Sequence, residues 1–239
     1  MNRYALGVCM ALLAAPIFAQ SSSMLPCGVD AIEGEGIKSD MLRNRASISP
    51  AQLSALRNRR NIIYVPVTVH LIGNGQGQDF PNPQGALFAL CALNRDFADQ
   101  NIQFYFNPTN PIRYFANQTV YDDGYANTSI TLMRNVKAAN TMNIFIGNAV
   151  SQPVAGYYSR SSDLVFIRKS EANMVSVTLT HEAGHFYTLP HTFNGWENLN
   201  YDDLYGGAPA PVRTSNNRNV EYVARTGATA NCETEADGF

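Results

Sequence analysis

The stretch HEAGHFYTLPHTF, from His181 to Phe193, decides how this chain is read. On a helix, His181 and His185 stand four residues apart. That places them about 40° apart around the axis and roughly 6 Å along it, so two imidazoles on one face reach a common ion. Glu182 lies beside them, where it can touch a metal-bound water without ligating the metal. His191 is six residues beyond His185 and cannot join from the same straight helix. The helix must therefore stop at or shortly before Leu189 and turn His191 back. Pro190 supports that stop, because the residue before a proline avoids helical geometry. His181, His185 and His191 together make a three-histidine zinc site with the fourth position open, as a catalytic site requires. The chain has four histidines, and three fall in this one segment. The fourth, His70, ends an expected strand and reads as structural.

Working outward, the pattern from Asn61 is α/β. Ile62 to Ile72 is rich in β-branched residues and predicts a strand. Gly73 to Pro83 is a loop of Gly, Asn, Gln and Pro. Ala86 to Gln100 predicts a helix, with Leu87, Leu90, Leu93 and Phe97 at helical spacing. Ile102 to Phe106, Asn143 to Ile146 and Leu164 to Ile167 predict further strands, and Val154 to Tyr158 an edge strand. Met174 to Leu189 predicts the metal-bearing helix, although its Val and Thr content argues against helix. The fold expected is α/β: a twisted, mostly parallel sheet with an antiparallel edge strand, packed on two helices. The chain beyond His191 reads as loop.

The N-terminus is different. Arg3, the apolar run from Tyr4 to Phe18, and the small residue Ala19 before Gln20 predict a signal peptide over 1–19, hence a secreted protein. No later segment is long and apolar enough to span a bilayer. Residues 20–60 are polar and end in the basic cluster Arg57, Arg59 and Arg60. They read as a pro-segment with a cleavable junction, or as an N-terminal arm with a helix near Pro50 to Arg60; both can hold at once. A net charge of −2 offers no basic excess for nucleic acid. Cys9 would leave with the signal peptide. Cys27, Cys91 and Cys232 remain, an odd count that implies a thiol, a metal ligand or a missing partner.

The segment resembles the pappalysin (cytophagalysin) family of metzincin zinc peptidases. That family often reads HExGHxxGLxHTF, and His181, Glu182, Gly184, His185, Leu189, His191, Thr192 and Phe193 stand at matching places. LNRDFADQNIQFYF, from Leu93 to Phe106, resembles the family's first helix and second strand. The stretches VEYVAR and NCETEADGF resemble the family's chain beyond its zinc motif. The resemblance implies a metzincin-like zincin fold over 61–239. It departs at two points. Thr188 stands where metzincins have a glycine that permits the turn to the third histidine; a β-branched residue at positive φ is strained, so either the turn here uses another geometry or the site stores strain. The family also continues into a Met-turn, and no methionine lies after His191 here. A catalytic domain incomplete at its C-terminus is expected, with Cys232 lacking its disulfide partner. Cys27, in LPCGVD, resembles the cysteine switch of metzincin zymogens and is a candidate latency ligand. Arg57, Arg59 and Arg60 are candidate activation sites, since related peptidases favour arginine next to the scissile bond.

The function expected is a secreted zinc endopeptidase acting on proteins or peptides, with Glu182 as general base. The alternative is a catalytically incomplete metal-binding or peptide-binding module. A thermolysin-like arrangement would need a downstream Glu ligand, and Glu197 is too close in sequence. Asp202 and Asp203 offer a calcium site, or a plain acidic loop. Asn117 and Asn127 begin N-x-[ST] sequons. Oligomeric state is not legible in the sequence.

Overall fold

The computed structural model describes residues 27–57, 61–149 and 151–191. Its centre is β1 (Ile63–Gly73), whose last seven residues are all buried. A run buried throughout, rather than on alternate residues, is what a parallel strand covered on both faces shows, with only Thr68 and His70 polar within it. One edge of β1 carries two successive parallel partners: β2 (Ile102–Phe106) along Ile63 to Val67, then β3 (Ile112–Ala116) along Val69 to Gly73. The other edge carries β4 (Met142–Gly147), followed by β6 (Leu164–Arg168), both parallel. β5 (Gly156–Ser159) closes that side and is antiparallel to β6, with Tyr157 opposite Phe166. The expected antiparallel edge strand is thus β5.

Alternate residues of these strands feed two cores. Val67, Val69, Leu71, Ile144, Ile146, Val165, Ile167 and Tyr158 face one core. It is covered by α3 (Pro83–Asp96) through Ala86, Ala89, Leu90 and Leu93, and by α6 (Thr178–Phe186) through Leu179 and Ala183. Ile72, Phe145, Leu164, Phe166 and Tyr157 face the other. There the sheet meets α4 (Gln118–Asp122) and α5 (Asn127–Asn135), which bury Val120 and Met133. The expectation of two covering helices therefore accounts for one face only. α4 and α5 are short and polar outside, so their apolar period spans too few turns to register. Asn117 accepts the Val120 N–H at 3.1 Å and caps α4, so its side chain has a local structural task.

α3 starts earlier than expected because Asn82 caps it, accepting the Gln84 N–H, and Pro83 occupies the first turn. It ends at Asp96; Ala98–Gln100 is a separate 3₁₀ turn closed by Asn101 at φ 53°. Asn94 clamps α3 to β2, donating to Phe104 O at 2.9 Å and accepting its N–H at 2.6 Å. α6 starts later than expected. Asn173 Oδ1 accepts the N–H groups of Val175 and Ser176, which holds that stretch in a turn. Met174, Val175 and Val177 are accordingly exposed.

Two further helices precede the sheet: α1 (Ala31–Ala46), capped by Asp30, and α2 (Pro50–Arg57). α1 was not foreseen. It docks through few apolar side chains, with Ile37 in the first core beside Val29. Gly36 lets Arg160 lie close, since a Cβ there would stand 3.1 Å from Arg160 Cδ. Arg160 in turn donates twice to Asp40, at 2.5 and 2.9 Å. Among the described residues no helix is long and apolar enough to cross a membrane. Residues 1–26, Arg59, Arg60, Glu197, Asp202, Asp203 and Cys232 lie outside the described residues; Arg57 closes α2.

Candidate metal centre

α6 carries His181 and His185 on one face, and its C-terminus decides where His191 goes. The last turn ends in a complete Schellman pair: Thr188 N–H reaches His185 O at 2.8 Å, and Leu189 N–H reaches Gly184 O at 3.0 Å. The pattern demands a left-handed residue at Thr188, and Thr188 adopts it, at φ 66°. The turn that glycine gives elsewhere is therefore made here by a strained β-branched residue, at a cost of about 1–2 kcal/mol. Leu189 folds over Gly184, whose missing Cβ would lie 3.9 Å from Leu189 Cδ1. The reversal brings His191 back under the helix, buried.

The three Nε2 atoms form an equilateral triangle: His181 to His185, His181 to His191 and His185 to His191 are each 3.1 Å. For ligands at about 2.0–2.1 Å from zinc, tetrahedral geometry asks for about 3.3 Å between nitrogens. His185 Nδ1 lies 2.7 Å from Leu189 O. A carbonyl only accepts, so Nδ1 carries the proton and Nε2 presents its lone pair to the triangle. Desolvation holds His185 and His191 neutral, down at about 4, and lowers His181 as well. Neutral imidazoles with converging lone pairs repel one another unless a cation lies between them. The donor set thus fits a divalent metal that prefers nitrogen.

Cys27 joins this group. Its Sγ is 3.6 Å from His185 Nε2, and the four ligand atoms lie within 4.8 Å of one another. A tetrahedral zinc with sulfur at about 2.3 Å would place S and N about 3.6 Å apart. The segment holding Cys27 pairs with the outer edge of β5: Cys27 bridges to Gly156 in the parallel sense, and Gly28 N–H donates to Gly156 O at 2.8 Å. Tyr125 Oη donates to Gly28 O at 2.9 Å.

Glu182 is the next residue after His181 on α6 and is buried. Neither carboxylate oxygen has a well-formed hydrogen bond among the described residues. Burial pushes its carboxyl up to about 8, and the nearby Cys27 thiol and Tyr158 backbone only partly oppose this. Burial penalises the ionised carboxyl, so a cation held by the neighbouring histidines would favour its carboxylate, the proton-accepting form. α6 itself is tied to α3 where Thr180 Oγ1 donates to Asp96 at 2.6 Å.

In sequence, the chain matches no family model and no curated protein. In structure it is similar to chains of mirolysin from Tannerella forsythia. One is mature mirolysin in complex with a cleaved peptide: 20% identical, covering 56% of this chain and 66% of that chain, TM-score 0.44. Another is a promirolysin point mutant: 19% identical, covering 70% of each chain, TM-score 0.47. A third is mirolysin in complex with a compound: 22% identical, covering 56% and 66%, TM-score 0.40. This chain spans 66% of the mature mirolysin chain it matches.

Sequence reasoning named His181, Glu182, His185, His191 and Cys27, and all five meet in this one region. It missed Tyr125, Asp40 and Arg160. Their partners are 97 and 120 residues away, and no local pattern carries such a pairing. His70 lies on the other face of the sheet. It is buried, stacked on Phe145 at 4.2 Å and bonded to Asn143 Oδ1 at 2.9 Å.

Proposed function

We propose that this chain is a secreted zinc endopeptidase that hydrolyses peptide bonds in proteins or peptides, held latent by its own N-terminal segment. The observation that carries the reading is the triangle of Nε2 atoms at 3.1 Å with the buried, weakly partnered carboxyl of Glu182 next in the helix. His181, His185 and His191 would hold zinc, and bound zinc supplies Lewis acidity that acidifies water and polarises a carbonyl. Glu182 takes the proton of the attacking water as general base and delivers it to the leaving amine. Once the arm has left it, the outer edge of β5 accepts an extended peptide as an added strand.

Residues 20–60 are the pro-segment in this reading. Cys27 would supply that metal with a fourth ligand in place of water, and a cut at Arg57, Arg59 or Arg60 would start activation. Residues 1–19 direct secretion.

The deciding experiment is metal analysis of the purified chain together with digestion of labelled casein, before and after proteolytic removal of the arm. Stoichiometric zinc, with hydrolysis that a chelator abolishes and zinc restores, supports the reading. Full hydrolysis by a Glu182→Ala variant at equal zinc content refutes the general base.

A further inference from the structure

The contact between Tyr125 and Gly28 has no part in holding a metal, yet it is closely fitted. Gly28 gives its N–H to Gly156 O and receives the Tyr125 hydroxyl on its own carbonyl, at 2.8 and 2.9 Å. A Cβ on Gly28 would stand 2.7 Å from Tyr125 Cε2 and 3.2 Å from Tyr157 Cβ. One residue's backbone is therefore gripped at both polar groups, with the ring pressed against its Cα.

This grip is built by the sheet domain alone. Asp123 Oδ1 accepts the Tyr125 N–H at 3.1 Å, and the Tyr125 ring stands edge-on to Tyr157 at 5.3 Å. The preceding Gly124 gives its N–H to Asn148 O at 2.8 Å and takes the Tyr157 hydroxyl at 2.7 Å. A side chain at Gly124 would run into Phe166. Each of these supports lies outside the arm, so the phenol keeps its place when the arm departs. Burial, with Asp30 and Glu33 nearby, raises the Tyr125 phenol, so it remains an O–H donor at neutral pH.

We propose that Tyr125 is a substrate-positioning residue: its phenol, with the Gly156 carbonyl, grips the backbone of an extended peptide beside the metal centre, and Gly28 occupies that grip in the latent chain. A hydroxyl donates or accepts, so it serves a strand of either direction, whereas the Gly156 carbonyl takes only an N–H. Both contacts are to backbone, so the grip is indifferent to peptide sequence.

The inference rests on the peptidase reading, and its test separates the two. In the full chain, Gly28→Ala forces a methyl against Tyr125 and unseats the arm; Cys27 alkylation, located by peptide mass mapping, accelerates. Gly28→Pro removes the N–H given to Gly156 as well as adding a Cβ, and gives the same result with the sheet's own sequence unchanged. In the Gly28→Ala chain, Tyr125→Phe raises KM for labelled casein about fivefold, the loss of one hydrogen bond, with kcat within about twofold. In a Gly28→Ala, Glu182→Ala chain, Tyr125→Phe weakens casein binding, read by fluorescence anisotropy, by the same factor. Cys27 protected in both Gly28 variants, or KM and binding indifferent to Tyr125→Phe, overturns the inference. Tyr125-dependent binding without hydrolysis in any chain retaining Glu182 upholds it and rejects the peptidase instead.

Discussion

Two buried histidines of this chain, His70 and His185, make an instructive pair. Both are held near a pKa of about 4, chiefly by desolvation. Both use one ring nitrogen on a neutral oxygen. The nitrogens are opposite. His70 places Nε2 against Asn143 Oδ1, an oxygen that also takes the Ala138 N–H, so Nε2 carries the hydrogen. His185 places Nδ1 against Leu189 O, which leaves its Nε2 bare and aimed at the Nε2 atoms of His181 and His191. Burial and proton affinity do not tell a structural histidine from a ligand. The tautomer imposed by the neighbour does, together with what the other nitrogen faces.

The largest effect that would break this contrast is on metal content. His185→Ala is expected to drop bound zinc from stoichiometric to near zero by elemental analysis. His70→Gln should leave zinc unchanged, since the Gln amide can still donate to Asn143. Zinc lost equally from both would erase the distinction. Next comes Glu182→Gln, expected to cut casein hydrolysis by about 10²- to 10⁴-fold at unchanged zinc.

A third test is acid stability. His70 has its pKa depressed from 6.5 to about 4, so between those values the unfolded chain binds a proton that the folded chain refuses. Stability is therefore full above 6.5 and falls through that window, by about 3 kcal/mol from this residue. Denaturant titrations at pH 7 and pH 4 with chelator, wild type against His70→Gln, isolate that share, because the metal-site histidines contribute equally to both chains. The smallest effect is at the turn. Thr188→Gly relieves left-handed strain and should raise stability by about 1 kcal/mol, a Tm gain of a few degrees, with zinc content unchanged. A loss of stability there would mean that the Thr188 hydroxyl, 3.4 Å from Asn44 Nδ2, matters more than its backbone.

The metal centre was legible because its grammar is local. Helical spacing, Pro190 and the histidine count place four of its residues within eleven positions. At Thr188 the sequence left two outcomes, another turn geometry or stored strain, and the left-handed backbone at φ 66° decides for strain. The sheet was legible where strands are rich in apolar and β-branched residues, as in β1 and β4. Legibility failed where burial needs little apolar material. α1 docks by Ile37 and by the gap at Gly36 that admits Arg160, and β3 alternates half-exposed residues along an edge. It failed again where a contact joins distant segments, as Tyr125 does with Gly28.

If the chain is the latent peptidase proposed above, the way its arm is fastened bears on its activation. Its points of attachment, Cys27, Gly28, Val29, Ile37 and the Asp40–Arg160 pair, all precede residue 58 on the arm's side. Scission after α2 deletes none of them. It abolishes only the tether, whose benefit is an effective concentration in the millimolar range. A severed arm is thus a product that must diffuse away or be digested, and the lag before activity should shorten on dilution.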